Sequence, residues 1–196
     1  MLGEMQKPGI AVLDFGSQYT QLIARRFRDI GVYSEIFEPG VAMKDIELAI
    51  GIVSSGGSAS VYKNGSPRCR DGVWEMPVPK LAICYSFQAY AHDFGGQTTP
   101  AENSREFGKA EIIIEKSEPL FNDLDERQIV WMSHGDEVSR LPPSMHRLAY
   151  TEDCKYAAAW DPNRRIVGVQ FHPEVNDTLH GMDMLSNFLS LTERKF

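Results

Sequence analysis

The stretch LAICYSFQAYAHDFGG, Leu81–Gly96, begins as an apolar run of the kind that is buried, stops at Cys84, and continues with apolar residues at helical spacing. Ala82 and Ser86 stand two positions either side of the cysteine. A core strand that simply ends has this pattern, and so does a strand that hands a nucleophile to a helix. In the second case the turn residue sits at the mouth of a sheet beside a helix N-terminus, whose dipole favours a thiolate. Small flanking residues let strand and helix approach closely there. A buried free cysteine is the alternative, because cysteine is among the most interior residue types.

Working outward, the N-terminal half alternates short apolar runs with amphipathic stretches. IAVLDF (Ile10 to Phe15) reads as a buried strand, and Tyr19, Leu22, Ile23, Phe27 and Ile30 mark a helix over 18–30. VYSEIF alternates like a strand, VAMKDIEL is a short helix candidate, and AIGIVSS is a further apolar run entering a Gly/Ser loop. An irregular stretch, 58–79, precedes the strand KLAIC and a helix over 85–94. The second half is richer in strands: AEIIIE, QIVWM, RLAYT, YAAAW and RIVGVQF. It closes with a helix carrying Leu179, Met182, Leu185, Phe188 and Leu189 on one face. These elements predict an α/β fold with a mostly parallel central sheet, helices on both faces and an extension of antiparallel strands. Residues 1–196 are expected to form one domain, with 1–8 a flexible N-terminus.

Composition narrows the function. The net charge is −7, from 27 acidic and 20 basic residues dispersed along 196 positions, so no basic face is available for nucleic-acid phosphates. Three cysteines without metal-type spacing read as reduced thiols, which points to a cytoplasmic setting. The first residues lack the apolar core of a signal peptide, and no apolar run nears the roughly 20 residues that span a bilayer. No nucleic-acid or membrane partner is expected.

In open parallel sheets ligands gather at the carboxyl ends of the strands. That rule puts 14–18, 54–58, 84–88 and 172–174 in one crevice. In QFHPEV, His172 and Glu174 lie two apart in an extended segment and share a side, with Pro173 stiffening the turn. A thiol nucleophile needs a base, and the base needs an orienting group; Cys84, His172 and Glu174 would supply all three. A solvated surface loop is the alternative for any single His-x-Glu. In SSGGSAS, Gly56 and Gly57 permit backbone N–H groups to face the crevice and receive an oxyanion or a phosphate. The same loop also reads as a plain turn, and Ala59 stands where an ATP-pyrophosphatase phosphate loop carries aspartate. After the strand QIVWM, the polar residues Ser133, His134 and Asp136 line a pocket or form a solvated turn. His134, Asp136, His172, Glu174 and His180 lack compact ligand spacing, so no metal is expected.

AICYSFQ together with GVQFHPEV resembles the Cys-His-Glu core of the class I glutamine amidotransferases, which are flavodoxin-like. Within that family VLDFGSQYTQLIARRFRDIGVYSEI, SSGGSASVY, FQAYAHDFGG, REFGKAEI, VWMSHGDEV and GVQFHPEVNDT are similar to the glutaminase domains of GMP synthetases, from about Gly9 onward. The resemblance implies a ligase-associated glutaminase of purine and GMP biosynthesis, whose catalytic triad is Cys84, His172 and Glu174 and whose intermediate is a thioester. It further implies an oxyanion hole from the backbone N–H groups of Gly57 and Tyr85, worth roughly 3 kcal/mol of barrier per donor. Gln88, Ser133, His134 and Gly135 would contact glutamine. No cofactor is implied for this domain; ATP and Mg belong to the ATP-pyrophosphatase/synthetase domain or subunit that would receive ammonia and convert XMP to GMP, and no such domain is expected within these 196 residues.

Three positions depart from the family pattern. Ala82 and Ser86 replace the glycines usual at the elbow, and Ser58 replaces the proline that commonly follows the two loop glycines, which removes a φ restraint. The alternatives are a glutaminase serving another synthase, a γ-glutamyl hydrolase, and a degenerate domain that binds a partner without catalysis.

Overall fold

A computed structural model describes residues 3–100 and 106–193. Among the described residues nine strands form one sheet. β1 (Gly9–Leu13) is flanked by β2 (Ser34–Phe37) and β3 (Ala49–Ser54), followed by β4 (Lys80–Ile83) and β11 (Ile166–Val169), all parallel. The order 2-1-3-4 is that of flavodoxin-like sheets. Beyond β11 the sheet continues antiparallel through β10 (Ala158–Asp161), β9 (His146–Tyr150), β6 (Glu106–Ile114) and β7 (Arg127–His134).

Strand alternation explains the layering. Ile10 and Val12 of β1, Leu81 and Ile83 of β4, and Val167 and Val169 of β11 face one side. There they pack with Ile23 and Phe27 of α1 (Thr20–Asp29) and Leu185 and Phe188 of α3 (Gly181–Glu193). Ala11, Leu13, Ile52 and Ala82 face the other side, which is covered by Tyr85, Phe87, Ala89 and Tyr90 of α2 (Tyr85–Asp93). The irregular stretch after β3 covers the rest of that side through Val61, Val73 and Trp74, all buried. Each such large side chain contributes about 1.5–3 kcal/mol when fully buried.

Three expectations change. VAMKDIEL forms only a single 3₁₀ turn, Met43–Ile46, which buries Ile46 alone. Leu179 lies ahead of α3 and is 62% exposed. The helix begins at Gly181, where the chain runs against the Pro173 carbonyl so tightly that a Cβ would sit 2.0 Å from its oxygen. Within the stretch expected to be flexible, Met5 is held: its N–H donates to the Asp45 carbonyl at 2.7 Å and its side chain is buried in the cluster around Leu13 and Phe37.

A second, two-stranded sheet pairs β5 (Gln97–Pro100) with β8 (Asp136–Arg140). Neither strand is legible as one: β8, DEVSR, has one apolar residue, Val138, facing inward, and β5 is polar. Only Gly135 separates β7 from β8, so the chain changes sheets there and brings 133–136 to the carboxyl ends of the parallel strands.

Candidate active site

A cleft of about 540 Å³ opens at that end of the sheet. It is lined by residues following β1 (Gly16 to Tyr19), β3 (Gly57 to Ser60), β4 (Cys84 and Gln88) and β11 (His172), and by the β7–β8 corner (Ser133 to Asp136). All four predicted strand ends therefore contribute to one crevice of a size usual for small ligands. Asp14 is not among the lining residues. Its Oδ1 accepts from Gly16 N at 2.9 Å and Thr20 Oγ1 at 2.7 Å, which braces the start of α1.

Cys84 is the residue between β4 and α2, with φ 51° and ψ −106°. A non-glycine residue in such a conformation costs of order 1–3 kcal/mol, and it persists only where the surroundings impose it. Here the Cys84 N–H donates to the Val169 carbonyl at 2.7 Å and its carbonyl accepts the first helical bond, from Gln88 N at 3.1 Å. The turn is thus held from both sides, and the sulfur reaches the cleft from the N-terminal end of α2. Cys69 and Cys154 line no part of the cleft; burial pushes the Cys69 thiol far up.

The small elbow residues behave differently from glycines. Ser86 is fully buried; its hydroxyl accepts from Ile83 N at 2.7 Å and donates to the Ser54 carbonyl at 2.8 Å. It ties the end of β4 to the end of β3, where the Gly/Ser loop begins. Ser55 adds a second tie, its Oγ accepting from Phe15 N at 2.9 Å. Gly57 presses on the Phe15 carbonyl, where a Cβ would meet the oxygen at 2.5 Å. Ser58, exposed at the cleft wall, lacks a proline's φ restraint, and these hydrogen bonds and this contact hold the loop just before it.

His172 and Glu174 follow β11. His172 is 4% exposed and Glu174 fully buried, with Nδ1 and Oε1 at 2.8 Å. Burial pulls the imidazolium toward deprotonation. The Glu174 charge, the hydrogen bonds to Cys84 and Glu174, and the Cys84 charge outweigh it, so the His172 pKa is raised well above its ordinary value. Glu174 Oε2 has no hydrogen-bond partner among the described residues, so the carboxylate's polar interaction is concentrated on the imidazole. Three neighbours fix this loop. Tyr19 meets the His172 ring edge-on at 5.3 Å, Arg26 Nε donates to the Glu174 carbonyl at 2.8 Å, and Thr178 Oγ1 donates to the His172 carbonyl at 2.6 Å while accepting from Trp131 N at 3.0 Å.

Of the remaining residues singled out, Gly57, Gln88, Ser133, His134 and Gly135 all line the cleft. Tyr85 does not: its hydroxyl donates to the Pro67 carbonyl and accepts from Arg68, each at 2.8 Å, and only its backbone N–H, at the first helical position and without an intrahelical acceptor, is placed beside Cys84. Gln88 Nε2 donates to the Asp136 carbonyl at 2.7 Å and to Gln170 Oε1 at 3.2 Å, so both amide hydrogens are committed inside the protein. His134 is buried with Nδ1 3.2 Å from the Asp136 carbonyl. His180 stands apart, paired with Asp183 at the exposed start of α3. Among the described residues no group of three or more His, Cys, Asp or Glu side chains is placed to hold a metal ion, and no helix is long and apolar enough to cross a membrane. Sequence reasoning missed Tyr19 and Gln170. Gln170 carried a signal, since 170, 172 and 174 share one side of an extended segment.

The family profile for glutamine amidotransferase class-I matches residues 11–191. The chain belongs to this family. Two of its relatives are the glutamine-hydrolysing GMP synthases of Acinetobacter baylyi, 48% identical over 92% of this chain and 34% of that protein, and of Caldanaerobacter subterraneus, 43% identical over 94% and 36%. The chain therefore spans about a third of the length of these relatives. Among solved structures, a GMP synthase subunit protein of Thermoplasma acidophilum superposes with a TM-score of 0.85 at 29% identity, covering 97% of this chain and 96% of its own. A Thermotoga maritima glutamine amidotransferase has the same fold, with a TM-score of 0.76 at 16% identity over 97% and 100% of the two chains. The chain is a glutamine amidotransferase domain homologous to one portion of the GMP synthases.

Proposed function

We propose that this domain hydrolyses glutamine to glutamate and ammonia through a thioester on Cys84, and that the ammonia serves a synthetase portion that aminates XMP to GMP. Cys84 Sγ attacks the side-chain amide carbon. The oxyanion so formed is received by the N–H groups of Gly57 and Tyr85. Collapse of the adduct breaks the C–N bond, and His172 delivers the proton that lets ammonia leave. Water, deprotonated by His172, then cleaves the thioester to glutamate. Glu174 keeps the imidazole oriented and supports its charged form. Gln88, with both amide hydrogens committed, offers its carbonyl oxygen to the substrate, and the 133–135 corner receives the amino-acid end. The observation that carries this reading is the positive-φ cysteine sharing one cleft with a histidine whose far nitrogen rests on a buried glutamate.

The test is covalent trapping with 6-diazo-5-oxo-norleucine in the presence of the synthetase portion, read by peptide mass spectrometry. One adduct on the Cys84 peptide, absent in Cys84→Ala, is expected. No adduct under these conditions sinks the thioester mechanism and favours a binding-only domain.

A further inference from the structure

Gln170 stands immediately after β11, fully buried, and takes no part in the mechanism described above. Its Nε2 lies 3.5 Å from Cys84 Sγ, and its Oε1 accepts from Gln88 Nε2 at 3.2 Å. The orientation of this amide follows from its neighbours. The Asp136 carbonyl can only accept, so the Gln88 group facing it at 2.7 Å is the NH₂. The second hydrogen of that NH₂ needs an acceptor, so Gln170 turns its oxygen toward Gln88 and its own NH₂ toward the sulfur. The hydrogen bonds therefore run outward from the Gln88 NH₂, one to the Asp136 backbone carbonyl of β8 and one through the Gln170 amide to the sulfur. Beside His172, the Ser133 carbonyl also approaches the sulfur, at 3.7 Å; it can receive a thiol proton but only repels a thiolate.

We infer that Gln170 is a dedicated N–H donor to the Cys84 thiolate, locked in that role by Gln88. The inference rests on the reading of Cys84 as the nucleophile. It gives the charged sulfur a donor that carries no charge and remains in place when His172 surrenders its proton during the reaction. It also couples the substrate-contacting Gln88 to the nucleophile, so that displacing one reorients the other.

The experiment compares the chain with Gln170→Met, which has similar length and no donor. The measurement is the pH profile of Cys84 alkylation by iodoacetamide, followed on the Cys84 peptide without substrate. His172 with Glu174 behind it, and His134 and Asp136 on the β7–β8 corner, face the same cleft and are unchanged in both proteins. A hydrogen bond to a charged group is worth enough that about tenfold less thiolate is expected in the variant at a pH below its midpoint. An unchanged midpoint in a folded variant overturns the proposal. If the variant fails to fold, the Gln170 side-chain NH₂ resonances of the chain itself decide. They are expected to titrate with the alkylation midpoint and to be flat in Cys84→Ala; flat behaviour in both overturns the proposal. Neither readout needs turnover, so failure here is distinct from failure to trap the glutamine analogue.

Discussion

Ser86 and His172 show how much a single side chain carries. The Ser86 hydroxyl serves a buried N–H of β4 and a buried carbonyl of β3 at once, so Ser86→Ala leaves both without that partner. A loss of about 1–3 kcal/mol in urea unfolding is expected. An unchanged midpoint would show the hydroxyl to be dispensable and the elbow to be held by Cys84's backbone alone. For His172 the sign follows from its raised pKa. Its folded-state value lies above the roughly 6.5 of an unfolded histidine, so its proton is bound more tightly in the fold. That contribution to stability is whole below about pH 6.5 and is lost as pH rises through the folded-state pKa. Glu174→Gln removes the opposing charge, so the imidazole pKa is expected to fall in an NMR titration. The variant's stability deficit should be larger at pH 6 than at pH 9, and equal deficits at both would contradict the assignment.

At the scale of elements, the loop after β11 depends on three neighbours from different parts of the chain: α1 and the residue that precedes it, through Arg26 and Tyr19, β7 through Trp131, and its own continuation through Thr178. Thr178→Val keeps the shape and removes both hydrogen bonds of the hydroxyl. If His172 acts as proposed, small displacements of it cost much in rate, so kcat for glutamine hydrolysis is expected to fall by about tenfold with KM little changed. A change confined to KM would place the effect on substrate binding instead. The elements also mark where sequence reading stops. β1, β3, β4 and β11 announce themselves because strands buried on both faces are continuously apolar. β5 and β8 are short and polar, and only their pairing with each other makes them strands.

For the molecule as a whole, the cleft opens where parallel strands, antiparallel extension and the two-stranded sheet converge, so its lining comes from separate segments spread along the chain. The relatives carry such a domain as about a third of their length. A synthetase portion loaded with XMP and ATP is therefore expected to raise glutamine turnover by this chain in a coupled glutamate assay. Turnover indifferent to that addition would count against ammonia supply to GMP formation. The residues that carry the likeness, AICYSFQ and FHPEV, are legible in one dimension because their chemistry is local: a cysteine between strand and helix, and a histidine and glutamate two apart. By itself the sequence determined the alternating elements, the parallel-then-antiparallel sheet and the candidate nucleophile with its base. The tertiary structure decided what Ser86 does, where Tyr85 points, how Gln88 is spent and that Gln170 touches the sulfur. These depend on hydrogen bonds between segments from 32 to 86 residues apart or, for Tyr85, on the loop before β4, and no local pattern encodes which donor will meet which acceptor.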